Sequence, residues 1–446
     1  MSAFQIIVVL AAFSAVILVI AFDLVDMTVA ALVGTCLLVA LGILTTPDIA
    51  DAFRGSSGPL SLLFGGMVVA RILGTTGVFD LIGDYYLRAT RGSGRRFLLL
   101  LILIVAPLCA VLPNATTVVL LAPVIIRVAQ ALEIDIAPPM ILTAIISNCA
   151  GLLTLVGDPA TYLIGSAVGM TFDFYLRHVS LGGVMAIAIV VPLLPRLMPG
   201  VWNLRRTLPP ARTSARIERP VYACLTVAVL VAMVGLFVFG ENLPAPIVPP
   251  AAALIASALA LLVGYAARVE PTDNVLRDVD WKTLVFLASI FCLVQAIVKT
   301  GMLQHMALRI YDLFGSQFTL VALTVIAAIG ILSSLLANVP VAAASIVMIK
   351  SYLVAAEVVP ETALSSHFTH WPNVAIPVFV AMMFGATLGG NATLIGASAN
   401  IVSAGICERH GAPITFLRFL RVGLPVTLCQ LAASALYVIV LSRLMR

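Results

Sequence analysis

One eight-residue pattern occurs twice in this chain: Thr154-Leu155-Val156-Gly157-Asp158-Pro159-Ala160-Thr161 returns as Thr393-Leu394-Ile395-Gly396-Ala397-Ser398-Ala399-Asn400. Each copy is a glycine-bearing break inside an apolar stretch. No water reaches a bilayer core to satisfy open backbone, so such breaks are tolerated only where they are buried in protein or line a cavity. Two breaks in matched positions point to a transport site enclosed by membrane helices.

The surrounding composition agrees. With 62% hydrophobic and 10% charged residues, the chain is far from the roughly 25% charge of a soluble domain. It reads as an all-α polytopic membrane protein of about ten transmembrane helices, each near the roughly 20 residues a span requires. Clear spans are 5–22, 27–44, 180–197, 220–239, 247–267 and 419–441. The first apolar stretch lacks a basic n-region and an A-x-A site, and so reads as a retained helix. Cys36, Cys109, Cys149, Cys224, Cys292, Cys407 and Cys429 show no C-x-x-C spacing, and most of them read as small buried hydrophobes. His367 and His370 have metal-like spacing without neighbouring carboxylates or thiols, so no metal site is expected. H-E-x-x-H and G-x-S-x-G patterns are absent, and no enzyme activity or catalytic residue is expected. A G-x-x-x-x-G-K-[ST] loop is absent too, so ATP-driven work would need a separate soluble ATPase subunit as partner. The net charge of +5 lies largely in loops, where it sets topology, and no nucleic-acid partner is expected.

The loop 198–219 carries Arg205, Arg206, Arg212, Arg216 and Arg219, which places it in the cytoplasm by the positive-inside rule. Counting outward puts Glu241 outside and Arg268, Arg277 and Lys282 inside. Counting backward puts Arg88, Arg91, Arg95 and Arg96 inside if Pro59 to Leu87 is one long crossing, with both termini outside. Thr76-Gly77 recurs as Thr300-Gly301 and Asn114 as Asn338, both 224 positions on. An odd number of crossings separates the copies, which makes them inverted repeats. The first repeat is 1–198, with a re-entrant hairpin at 97–131 and a broken helix at 138–176. A cytoplasmic Arg-rich linker, 199–219, joins it to the second repeat, 220–446, with hairpin 318–359 and broken helix 373–407.

The first hairpin turns at Pro113-Asn114 and the second at Asn338-Val339-Pro340, entering from opposite sides. Proline forbids continuous helix, leaving Asn114, Thr116 and Thr117 to cap the outgoing arm at mid-depth. The breaks add Ser147, Asn148, Thr154, Asp158 and Thr161 in one half and Asn391, Thr393, Ser398 and Asn400 in the other. Such side chains also glue helices together, but four tips in repeat register favour a site. Substrate binding is expected at Asn114, Thr116, Thr117, Asn148, Thr154, Asn338, Asn391, Thr393, Ser398 and Asn400, supported by half-helix N-termini. Asp158, whose repeat mate is Ala397, is expected to couple protons, because a carboxylate at bilayer depth is costly and marks an ion or proton pathway. It can also cap the helix that Pro159 begins. Arg71 has Asp80, Asp84 and Asp158 as candidate partners, Arg127 and Lys350 are expected to snorkel to an interface, and Asp23 and Asp26 to flank a short turn.

The run Leu112-Pro113-Asn114-Ala115-Thr116-Thr117-Val118-Val119-Leu120-Leu121-Ala122-Pro123 and the triplet Gly157-Asp158-Pro159 resemble the hairpin tip and break of the ion transporter superfamily. That group includes arsenite permeases, the pigmentation P protein, silicon efflux carriers, citrate and dicarboxylate carriers and some sodium/proton antiporters. The Gly-Asp-Pro variant resembles the arsenite permease and P-protein branch. Two positions depart from it: Pro113 stands where the tip carries Asp, and Thr161 where the break carries Asn. The missing Asp weakens a sodium site built from carboxylates. The resemblance implies a homodimer with elevator-like motion, in contact with membrane lipid, in the cell's inner membrane. A fixed Asp158 repels di- and tricarboxylates and suits a small inorganic substrate, neutral and hydroxylated, exchanged against protons. The expected activity is therefore arsenite or antimonite efflux by alternating access, driven by proton motive force without a cofactor. Alternatives are a sodium/proton antiporter, with sodium as the coupling ion, a citrate or dicarboxylate carrier, silicic acid efflux, and a passive channel.

Overall fold

In hydrocarbon an apolar segment must close its backbone hydrogen bonds within itself, which makes each crossing a helix. The computed structural model describes residues 3–21, 24–207, 217–364, 368 and 370–445; Asp23, Arg212, Arg216 and His367 lie outside the described residues. The first half runs α1 (Ala3–Ala21), α2 (Met27–Ala40), α3 (Thr46–Gly74), α4 (Val78–Thr90), a hairpin of α5 (Gly94–Cys109) and α6 (Asn114–Ala131), and a broken crossing of α7 (Ala137–Ala150) and α8 (Pro159–Ala167). Short α9 (Phe172–His178), α10 (Ser180–Leu197) and α11 (Pro199–Trp202) close it. The second half runs α12 (Pro220–Phe239), α13 (Pro249–Ala267), α14 (Thr272–Arg277), α15 (Trp281–Thr300) and α16 (Met302–Phe314). It continues with a hairpin of α17 (Phe318–Leu335) and α18 (Asn338–Ala355), a broken crossing of α19 (Ile376–Gly389) and α20 (Ser398–Arg409), and α21 (Phe416–Leu444). Among the described residues nine helices are long and apolar enough to cross a membrane, joined by shorter apolar ones that include α7 and α19.

The halves interlock. α2 packs against α15 and α13 against α3, so each half lends a helix to the other's long crossing. Hairpin and broken helices form a second body, with α17 on α19, α5 on α7, α20 on α7 and α8 on α18. All fourteen residues of α19 are buried, which fits a helix that is apolar all round.

The expected crossing from Pro59 to Leu87 is two helices. α3 stops at Gly74, and Gly77 takes φ +77 with nothing within 4 Å of a Cβ placed there, so its backbone alone demands glycine. Gly301, at φ +74, makes the same joint between α15 and α16. The threonine before each glycine ties the joint down, Thr76 Oγ1 donating to Leu73 O (2.6 Å) and Thr300 Oγ1 to Ile297 O (2.7 Å).

Ion pairs join segments that charge counting puts on one face. On the Arg-rich face Arg71 meets Glu270 (2.9 Å) and Asp278 (2.8 Å), Lys282 meets Asp26 (3.2 Å) and Arg418 meets Asp135. On the opposite face Lys299 meets Asp48 (2.7 Å), and Glu241 accepts from Phe172 N (3.3 Å). Together the Arg71 and Lys299 pairs hold α3 near both its ends.

Each break folds back on itself. A Cβ on Gly157 would lie 2.9 Å from Gly151 O, and one on Gly396 would lie 2.7 Å from Gly390 O. Backbone cannot yield as a side chain tip can, so Gly157→Ala and Gly396→Ala should each destabilise by about 1–3 kcal/mol, the usual cost of overpacking. Gly235→Ala, with nothing within 4 Å, is the control. A thermal midpoint in detergent that falls for both break variants and holds for the control is the expected result.

Candidate functional site

Pro113 sits in extended backbone ahead of α6 (φ −57, ψ 137), so Asn114 is already the first helical residue. That register overturns the expected capping role. The N-terminus of α6 has no side-chain cap, and Asn114 Nδ2 instead reaches Asn148 Oδ1 at 3.4 Å. Asn338 begins α18 in the same way and, with its amide nitrogen facing the break, donates to Gly396 O and Ala386 O (3.0 Å each). Thr154 and Thr393 serve the hairpins rather than a cavity: Thr154 Oγ1 donates to Ala110 O and Thr393 Oγ1 to Ser334 O. Ser147 donates to Ala144 O within its own helix (2.8 Å).

The remaining amides meet at the centre. Asn148 Nδ2 donates to Asn391 Oδ1 (3.0 Å) and Asn400 Oδ1 (3.3 Å), joining the two repeats. Asn400 Nδ2 in turn donates to Gly390 O and Thr393 O (2.8 Å each). Asp158, 4% exposed, caps α8 by accepting from Ala160 N (3.2 Å) and Thr161 N (3.3 Å). Its repeat mate Ala397 gives α20 no such cap. Thr387 Oγ1 also donates to Asp158 (3.4 Å) and lies 3.2 Å from Thr161 Oγ1. Sequence reasoning passed over Thr387 and Gln430. The signal for Gln430 was an amide inside the apolar run of α21, where it is fully buried and accepts from Asn391 Nδ2 (3.1 Å).

Between the two bodies lies a cavity of about 260 Å³ whose wall includes Asn114, Asn148, Asp158, Asn338 and Ser398. It reaches Asp26 and Thr283, on the Arg-rich face. The ionisable residues in its wall are Asp26 and Asp158, with no Lys, Arg or His among the described lining residues. Two acceptors near the first tip, Asn114 Oδ1 and Thr117 Oγ1, are buried without a hydrogen-bond partner. In a low-dielectric interior each orphan costs about 1–3 kcal/mol. Thr116, half-buried, does not line the cavity.

The cations go elsewhere. Arg71 is taken by Glu270 and Asp278, not by Asp80, Asp84 or Asp158. Arg127 pairs with Asp84 (3.1 Å) and bonds Asp80 O (3.0 Å). Lys350 does not snorkel; it is 5% exposed, its ammonium 5.4 Å from the centre of the Trp371 ring, whose face attracts a cation. Asp26 caps α2 through Thr28 N (2.9 Å).

Residues 16–369 match the family described as citrate transporter, CitMHS. The chain belongs to that family. An uncharacterized transporter of Synechocystis sp. is 40% identical over 96% of both chains, and a 46 kDa membrane protein of Mycobacterium leprae is 31% identical over 94% of both. The human P protein is 27% identical over 94% of this chain and 58% of its own length. A crystal structure of the YdaH transporter of Alcanivorax borkumensis has the same fold, with a TM-score of 0.56 over 88% of this chain and 86% of that one at 14% identity. This CitMHS protein is thus a membrane-integral transporter of the ion transporter superfamily.

Asn148 holds three amides at once, and a leucine there strands them. Asn148→Leu should lower stability by about 2–4 kcal/mol, the cost of leaving more than one buried polar group unpaired, while Thr116→Ala should leave the thermal midpoint unchanged. Parallel melting curves in detergent check both.

Proposed function

We propose that this transporter exports an uncharged hydroxylated metalloid, arsenous or antimonous acid, in exchange for protons, by alternating access across the cell's inner membrane. Charge is the observation behind the reading: the cavity wall holds Asp158 at depth and no cation among its described residues. Like charges ~4 Å apart repel by about 4 kcal/mol at an effective dielectric of ~20, which penalises a polycarboxylate beside an ionised Asp158. A trihydroxy acid meets no such penalty. Its hydroxyl hydrogens match the orphan acceptor Asn114 Oδ1 and the Asp158 carboxylate, and its oxygens match the hydroxyl of Ser398.

Coupling follows from competition for one group. With Asp158 ionised, cargo loads from the Arg-rich side by donating a hydroxyl hydrogen to the carboxylate. After release, a proton from the other side neutralises Asp158 for the return, then leaves to the cytoplasm. One neutral molecule leaves and one proton enters per cycle, so positive charge moves inward and the proton motive force drives efflux. We extend the reading to a homodimer in lipid with no soluble cofactor.

A second reading is citrate or dicarboxylate transport, the chemistry in the family's description. In its favour, α20 has no side-chain cap, so free N–H groups at its N-terminus are available to a carboxylate. It requires an accompanying cation to offset Asp158.

Proton movement in proteoliposomes distinguishes the two, with wild type and Asp158→Asn challenged in turn with arsenite, antimonite, sodium and citrate. Arsenite-triggered proton flux that the variant loses is the expected result. A response to citrate or sodium alone would sink the metalloid assignment.

A further inference from the structure

Gln430 stands outside every motif, yet it begins a chain of amides that ends at the cavity. Its surroundings allow one orientation. Ala186 O, on α10, can only accept, so Gln430 Nε2 faces it (2.9 Å) and also lies 3.0 Å from Cys149 Sγ. Gln430 Oε1 is then left for Asn391 Nδ2 (3.1 Å), which forces Asn391 Oδ1 toward Asn148 Nδ2 (3.0 Å). Asn400, fixed by the carbonyls of Gly390 and Thr393, makes the same demand on that nitrogen at 3.3 Å. With its nitrogen committed, Asn148 offers Oδ1 to Asn114 Nδ2, and Asn114 Oδ1 remains without a protein partner.

Every link is buried: Gln430, Asn391 and Asn400 are 0% exposed, Asn148 is 1% and Asn114 is 8%. Water therefore offers no alternative partner to Gln430, Asn391 or Asn400, and reversing one amide would set donor against donor or acceptor against acceptor at the next. The polarity of the first tip is thus inherited from backbone carbonyls, that of Ala186 on α10 through Gln430 and those of Gly390 and Thr393 through Asn400, not chosen at the tip.

We propose that Gln430 is a positioning residue for cargo recognition: through Asn391 and Asn148 it holds Asn114 with its carbonyl oxygen reserved for cargo, so that the cavity selects molecules presenting hydroxyl hydrogens. The inference rests on the proposed function only in taking this cavity as the cargo site.

The test uses the full chain in proteoliposomes with Gln430→Met, which keeps length and removes both polar atoms, and Gln430→Glu, which keeps an acceptor for Asn391 and, when protonated, a donor for Ala186 O. Transport kinetics are measured for arsenite, silicic acid, sodium and citrate, and thermal midpoints are read alongside. Gln430→Met should raise KM for the transported cargo about fivefold, the weight of one hydrogen bond, with Vmax within about twofold of wild type. Gln430→Glu should restore most of the loss. An unchanged KM in Gln430→Met overturns the inference. So does a Gln430→Glu variant as impaired as Gln430→Met, or a fall in Vmax and thermal midpoint with KM unmoved, which would mark Gln430 as purely structural. If wild type carries silicic acid instead of arsenite, the metalloid reading fails and the inference is decided by KM for silicic acid. Wild type that carries citrate or sodium and neither hydroxylated acid overturns it, because neither an acceptor-rich anion nor a bare cation is selected by donated hydroxyl hydrogens.

Discussion

An open backbone turn in the middle of a bilayer must find every partner within the protein, and that requirement organises this molecule. Each repeat has two such turns, a hairpin tip and a helix break, and each break helps close its own hairpin. Thr154 reaches the carbonyl of Ala110, and Thr393 that of Ser334. The glycine pairs 151/157 and 390/396 allow each break to fold tightly enough for the threonine to reach. Neither element is satisfied without the other. The amides that meet at the centre stand there because this mutual closure delivers them to the same depth.

On this symmetric frame the chemistry is asymmetric. Asp158 neutralises the positive end of α8, whereas Ala397 leaves the end of α20 open. Asn338 spends its nitrogen on its own half, to Gly396 and Ala386, while Asn114 spends its nitrogen across the centre and keeps an oxygen free. A site of perfect twofold symmetry would offer cargo the same face from either half. Here one half carries the acceptors and the carboxylate, and the other carries an uncapped helix end.

The architecture was legible because membrane chains write it in their breaks. Doubled glycines, prolines at two tips and a matched Thr-Gly pair are backbone signals, and backbone is what a bilayer constrains. What stayed hidden depended on side-chain choice. The end of α3 at Gly74 lay inside an unbroken apolar run, so the joint at Gly77 read as mid-crossing although its repeat at Gly301 was visible. Arg71 had three carboxylates within reach of guesswork, and Glu270 and Asp278, some 200 positions away, were not among them. Gln430 left no trace in the repeat pattern. Asn114 was misread by one position: as the first helical residue rather than the cap, it turns its amide inward to Asn148.

An amide has a direction but no proton to lose over the physiological range, whereas a carboxylate has the reverse character. With oriented amides around one acid in the inner wall, the proposed site gives recognition to the amides and energy coupling to Asp158. Acidification cannot reverse the chain from Ala186 to Asn114, and among the described residues lining the cavity Asp158 is the acid at depth. On the proposed coupling such a centre has a ceiling: with one proton exchanged at Asp158 per neutral molecule, the steepest gradient of cargo it can sustain is bounded by a single proton's worth of the membrane's driving force.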